Sequence, residues 1–108
     1  MAIQTAIQDI PDRDIALLRV TGEMDFDVRP AFQKALLDLL AMPRAKLIVD
    51  LSRISRMSSV FIGTLIDSGN TATKSHKTLS VMLVEKLATV CRDSGLDKVV
   101  SIIVAKAQ

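Results

Sequence analysis

The chain has 108 residues, 49% of them apolar, with only three prolines and four scattered glycines, which suits one packed domain over residues 1–108 and supplies no glycine-rich phosphate loop. Its 14 basic residues are interspersed among 12 acidic ones for a net charge of +2, and it has neither Tyr nor Trp, so no nucleic-acid partner is expected. No apolar run approaches the roughly 18 residues needed to cross a bilayer, the N-terminus lacks a signal-peptide layout, and the lone Cys91 cannot close an intramolecular disulfide, so a cytoplasmic protein without membrane insertion is expected.

Residues 2–8 and 14–21 are two strand-like runs separated by Asp9-Ile10-Pro11-Asp12-Arg13, which reads as an antiparallel hairpin. A helix follows, with Asp27 placed to cap it, Pro30 in its first turn, and Val28, Phe32, Ala35, Leu36 and Leu39 recurring as one buried face up to Pro43. Lys46 to Leu51 is a third strand, apolar at nearly every position. The second helix runs from Ser59 to Ser75, with Ile62, Leu65, Ile66, Gly69 and Thr73 on one stripe. Gly69 in mid-helix costs about 1 kcal/mol against Ala, which implies close approach to a neighbouring element.

Thr78 to Val84 is the fourth strand, and Glu85 to Ser94 a third helix with Leu87, Val90 and Cys91 inward and Gly95 as its left-handed terminator. Val99 to Val104 is the last strand. This order predicts an α/β fold whose mixed sheet begins with the antiparallel hairpin and continues through parallel βαβ units. Strands three to five are apolar on both alternating faces, so helices on one side leave the other bare. Either the first strand or a partner subunit should cover it, a homodimer being one possibility.

Chemistry is sparse. His76, the sole histidine, lies in the polar junction Lys74-Ser75-His76-Lys77, where a cation at a helix C-terminus needs no function. One His and one Cys are too few for a structural zinc site, so neither catalysis nor a metal or other cofactor is expected. Asp50 interrupts an apolar strand near its C-terminal end. It reads as a side chain that bonds the next turn and holds the following loop, in preference to a phosphate-accepting aspartate, which would want an acidic pair after the first strand.

Beyond it, Arg53-Ile54-Ser55-Arg56-Met57-Ser58-Ser59 leads into the second helix. Ser58 or Ser59 is positioned as an N-cap for residues 61 and 62, and a phosphate on either would meet free backbone N–H groups and the positive end of the helix dipole. Phe61 lies off the helix stripe, placed either against Leu65 or as an apolar group at the surface.

Taken together, Thr21-Gly22-Glu23-Met24-Asp25, Leu47 to Ser52, Ile54 to Gly63 and Ser94 to Val100 resemble the STAS domain, and within it the bacterial anti-sigma-factor antagonists. The resemblance spans residues 14 to 104 in order and implies a domain with no catalysis of its own. It places a phosphoacceptor on Ser59, with Ser58 where the family carries Asp and Phe61 where it carries Gly. It implies that an anti-sigma-factor serine kinase binds the unphosphorylated form and that a serine phosphatase resets the phosphorylated one. Asp25, Asp50, Ser58 and Phe61 would shape or border the contact surface. The family helix after the last strand is expected to be cut short. Both departures from the motif also suit a constitutive STAS scaffold in a lipid-transport or larger signalling complex, bound without phosphorylation.

Overall fold

The computed structural model describes residues 3–105. Strand β1 (Ile3–Ile10) turns through a short 3-10 segment at Pro11–Arg13 into β2 (Ile15–Gly22). Pairing is unbroken from Ile3 opposite Gly22 to Ile10 opposite Ile15, and Asp14 takes the left-handed conformation (φ 57°) that closes the turn. Helix α1 (Arg29–Leu40), β3 (Lys46–Asp50), α2 (Val60–Lys74), β4 (Thr78–Val84), α3 (Glu85–Asp93) and β5 (Ser101–Ala105) follow. The five strands lie in sequence order, β1 antiparallel to β2 and all others parallel.

Each parallel connection steps the same way across the sheet. Right-handed crossovers therefore put α1, α2 and α3 on one face. Alternation along the strands agrees: Ala16, Leu18, Val20, Leu47, Val49, Leu79, Val81 and Leu83 are buried under the helices. The expected set of Val28, just before α1, with Phe32, Ala35, Leu36 and Leu39 within it joins the core. The first strand does not fold over the bare face; it extends the sheet as an edge beside β2.

Helix α2 is packed on three sides. Its buried arc is two residues wide, comprising Phe61, Ile62, Thr64, Leu65, Ser68, Gly69 and Ala72, because α1, the sheet and the turn before β5 all press on it. Thr73 faces solvent instead of the core. A Cβ on Gly69 would lie 2.7 Å from Val100 Cγ1 and 2.8 Å from the Val99 carbonyl oxygen, so the close approach expected at this glycine is real. Its C-terminus closes through His76 in the left-handed region (φ 61°), with Lys77 N–H donating to the Ala72 carbonyl at 2.8 Å.

Three expectations need correction. Asp27 does not cap α1: the chain enters the helix through a 3-10 turn, Phe26–Val28, and Val28 occupies the cap position without any side-chain bond. Val90 is 48% exposed, and the smaller Ala88 takes the inward place on α3. The last strand begins at Ser101, because Val99 and Val100 are drawn into a 3-10 turn, both N–H groups donating to the Leu96 carbonyl at 3.1 Å. Any helix beyond β5 would lie outside the described residues.

Candidate functional site

The segment joining β3 to α2 leaves the sheet at its C-terminal edge, where parallel α/β sheets place their binding loops. Leu51 continues the β3 ladder by donating its N–H to Met82 at 2.9 Å, and Ile54 turns back to the Leu51 carbonyl at 3.0 Å. Leu51 and Ile54 are buried, so the loop is anchored from beneath while Arg53, Ser55 and Arg56 stay exposed. Further along, Met24 and Met57 form an isolated parallel bridge, and Ser58 N–H donates to the Met24 carbonyl at 3.2 Å. This ties the serine loop to the segment carrying Asp25.

Asp50 behaves as a loop holder. Its Oδ1 accepts the Ser52 N–H at 2.9 Å and the Ser52 hydroxyl at 2.6 Å, while Arg19 Nε donates to Oδ2 at 3.4 Å. Burial alone pushes the Asp50 carboxyl up, but the Ser52 bonds and the Arg19 guanidinium outweigh it and hold the group below its usual range. An ionised, doubly bonded carboxylate of this kind is a structural acceptor.

Ser59 begins α2 with helical backbone angles (φ −60°, ψ −20°) and makes no side-chain capping bond. The expected N-cap role is absent. Phe61 and Ile62 donate their N–H groups to the Ser58 and Ser59 carbonyls at 3.1 Å, a tight turn that leaves the serine hydroxyls unused. Neither the Ser59 nor the Val60 N–H finds a partner among the described residues. Ser59 is exposed and Ser58 half-buried.

Asp25, Ser58, Met57, Arg56 and Met24 line a cleft of about 250 Å³, and a second of about 210 Å³ adjoins it between Gly22 to Asp25 and Ser55 to Arg56. Of the residues expected at the site, Asp25 and Ser58 line this cleft, the exposed Ser59 follows directly in the chain, and Asp50 holds the start of the loop through Ser52. Phe61 does not. It is fully buried, its ring 5.4 Å from that of Phe32 in an edge-to-face arrangement at 79°. Its place in the first turn points it at α1, and it is unavailable to a partner.

Two residues escaped the sequence reading. Arg56 lines the same cleft as Asp25, and Arg19 reaches Asp50 from the neighbouring strand. Arg56 stands three residues before Ser59, a visible spacing, but only the Met24–Met57 bridge brings it to the cleft that Asp25 lines.

Cys91 is buried, and that burial pushes its thiol up, away from nucleophilic use. Among the described residues no three His, Cys, Asp or Glu side chains converge to hold a metal, and no helix is long and apolar enough to cross a membrane.

A five-stranded mixed sheet with three helices on one face and an anchored loop presenting hydroxyls at a helix start defines a small α/β domain of the STAS architecture. Residues 10–104 match the family model described as "Mlab, STAS domain", and the chain belongs to the STAS family. Among solved structures it is similar to an anti-sigma factor antagonist from Mycobacterium paratuberculosis, at 23% identity and a TM-score of 0.82 over 95% of this chain and 86% of that one. It is also similar to the Bacillus cell fate determinant SpoIIAA in its phosphorylated form (15% identity, TM-score 0.69, 95% of this chain and 92% of that one). Moorella thermoacetica RsbS is a third (16% identity, TM-score 0.73, 95% and 88%). At these identities the likeness is one of fold. No curated protein matches the chain.

Proposed function

We propose that this STAS domain is a non-enzymatic, cytoplasmic protein-interaction switch of the anti-sigma-factor-antagonist kind. Unphosphorylated, it binds an anti-sigma-factor serine kinase; phosphorylation of Ser59 releases it, and a serine phosphatase resets it. The observation that carries this reading is an exposed Ser59 hydroxyl, free of any capping bond, beside two unpartnered N–H groups at the start of a 15-residue helix. A phosphate there gains those donors and the helix dipole, yet it sets close to two negative charges inside any interface that packs on Asp25, Arg56 and Ser58. Moving a complex from mostly bound to mostly free takes about 5.5 kcal/mol of differential affinity, within reach of lost contacts plus buried charge.

Two observations favour a second reading, a constitutive scaffold subunit of a lipid-transport or larger signalling complex. The matching family description names Mlab, and Ser58 and the buried Phe61 stand where the anti-sigma-factor antagonists carry Asp and Gly. Capture from native lysate separates the two. The switch predicts that Ser59→Ala retains a kinase of the histidine-kinase-like ATPase fold and that Ser59→Asp loses it. Equal capture by both variants, or recovery of a membrane-transport ATPase instead, would establish the scaffold.

A further inference from the structure

Helices α1 and α2 start side by side. Both run back from the C-terminal edge of the sheet, so they point the same way, and the Phe32 and Phe61 rings meet 5.4 Å apart in their first turns. Beyond these rings the two helices line a common groove at one constant separation along the chain, Gln33 to Thr64, Leu37 to Ser68 and Leu40 to Thr71. Carrying that separation one helical turn towards the helix starts brings Arg29, the first residue of α1, to the level of Val60, next to Ser59.

Arg29 has no partner there. Its Nε is closed off from solvent and meets no hydrogen-bond acceptor, and no carboxylate pairs with the guanidinium among the described residues. The place is otherwise poor for a cation: the positive end of a helix dipole opposes it, and the first turn of α1 holds no acidic residue to offset it. Buried donors in folded proteins are nearly always bonded, so an orphan of this kind, at this charge and beside a free hydroxyl, points to an anion.

We infer that Arg29 is the receiver of the Ser59 phosphate: its guanidinium pairs within the chain with a phosphate resting over the free Ser59 and Val60 N–H groups. This inference rests on the reading of Ser59 as the phosphoacceptor. Packed helices lie about 8–10 Å axis to axis, a gap that an arginine on one helix start and a phosphoserine on the other close together. The planar guanidinium offers parallel donors to two phosphate oxygens, so Arg29 fixes where the new charge sits as well as balancing it. Of the other charged groups around the helix start, Arg56, Asp25 and Asp27 are all exposed, and Arg29 alone brings a donor that is already desolvated and unpaired.

Phosphoserine placed at position 59 of the full chain during translation allows a test that depends on no kinase. Phosphorus NMR titration reads the second pKa of the phosphate, about 6 when unperturbed. It should lie about one unit lower in the chain with Arg29 than in Arg29→Gln, because an adjacent cation favours the dianion. Arg56→Gln should leave it near the value of the chain with Arg29. Without any substitution at Arg29, its Nε–H signal should also shift with the midpoint of the phosphate titration. Equal phosphate pKa values with and without Arg29, an effect of Arg56→Gln as large as that of Arg29→Gln, or an Arg29 signal indifferent to the titration would overturn the inference. Absence of phosphate on the protein from its native host would instead refute the switch at Ser59 and leave these titrations unchanged.

Discussion

The packed face of helix α2 and the residue that leads into it are built to opposite specifications. The packed face is locked: Gly69 presses on Val99 and Val100 in mid-helix, and Phe61 in the first turn is stacked edge-to-face on Phe32. The residue before the helix is left open, with Ser59 exposed, uncapped and, among the described residues, without a partner for its own N–H or that of Val60. A helix fixed this firmly presents its first turn at a constant position. Core packing and the proposed modification site thus occupy neighbouring positions, and a change at Ser59 is expected to leave the core packed.

Substitutions test that division, and their expected effects fall in order along it. Phe61→Ala empties a core site and should cost about 3–5 kcal/mol in chemical denaturation. Gly69→Ala should cost about 1–3 kcal/mol by overpacking, partly offset by about 1 kcal/mol of helix propensity; a net gain in stability would show that the turn before β5 can yield. Asp50→Ala removes the acceptor for Ser52 and should cost about 1–3 kcal/mol near neutral pH. Because the Asp50 carboxyl is held below its usual range, its contribution is present above the unfolded value near 3.9 and is lost as pH falls through the lower folded value. The difference between wild type and Asp50→Ala should therefore narrow in acid, and a constant difference down to pH 2 would contradict the hydrogen-bond assignment. Ser59→Ala should change stability by less than about 0.5 kcal/mol, since its hydroxyl bonds nothing.

The same contrast explains what the sequence made legible. Periodicity together with turn residues located five strands, three helices and the whole buried face of α1, because β2, β3, β4 and α1 each bury one regular stripe. Gly69 was readable as a close approach, since mid-helix glycine has a cost that packing must repay. Errors arose where tertiary packing overrode a local pattern. Val99 and Val100 look like strand residues but are recruited beneath Gly69, and Phe61 falls off a one-residue-wide stripe although α2 buries a wider arc.

At the site, Asp50 was correctly legible as a loop holder because an Asp at a strand end commonly bonds the next turn. The Asp25–Arg56 cleft was not, since it depends on a long-range bridge between Met24 and Met57. Neither was the absence of a serine cap: Ser and Thr favour that position so strongly that an unused hydroxyl is visible only in three dimensions.

The switch at Ser59 is tested most directly by intact mass and site mapping of the protein purified from its native host across growth states. The account predicts one phosphate in at least one state, mapped to Ser59 and absent from Ser59→Ala. An unmodified mass in every state, or a phosphate that persists in Ser59→Ala, would contradict it.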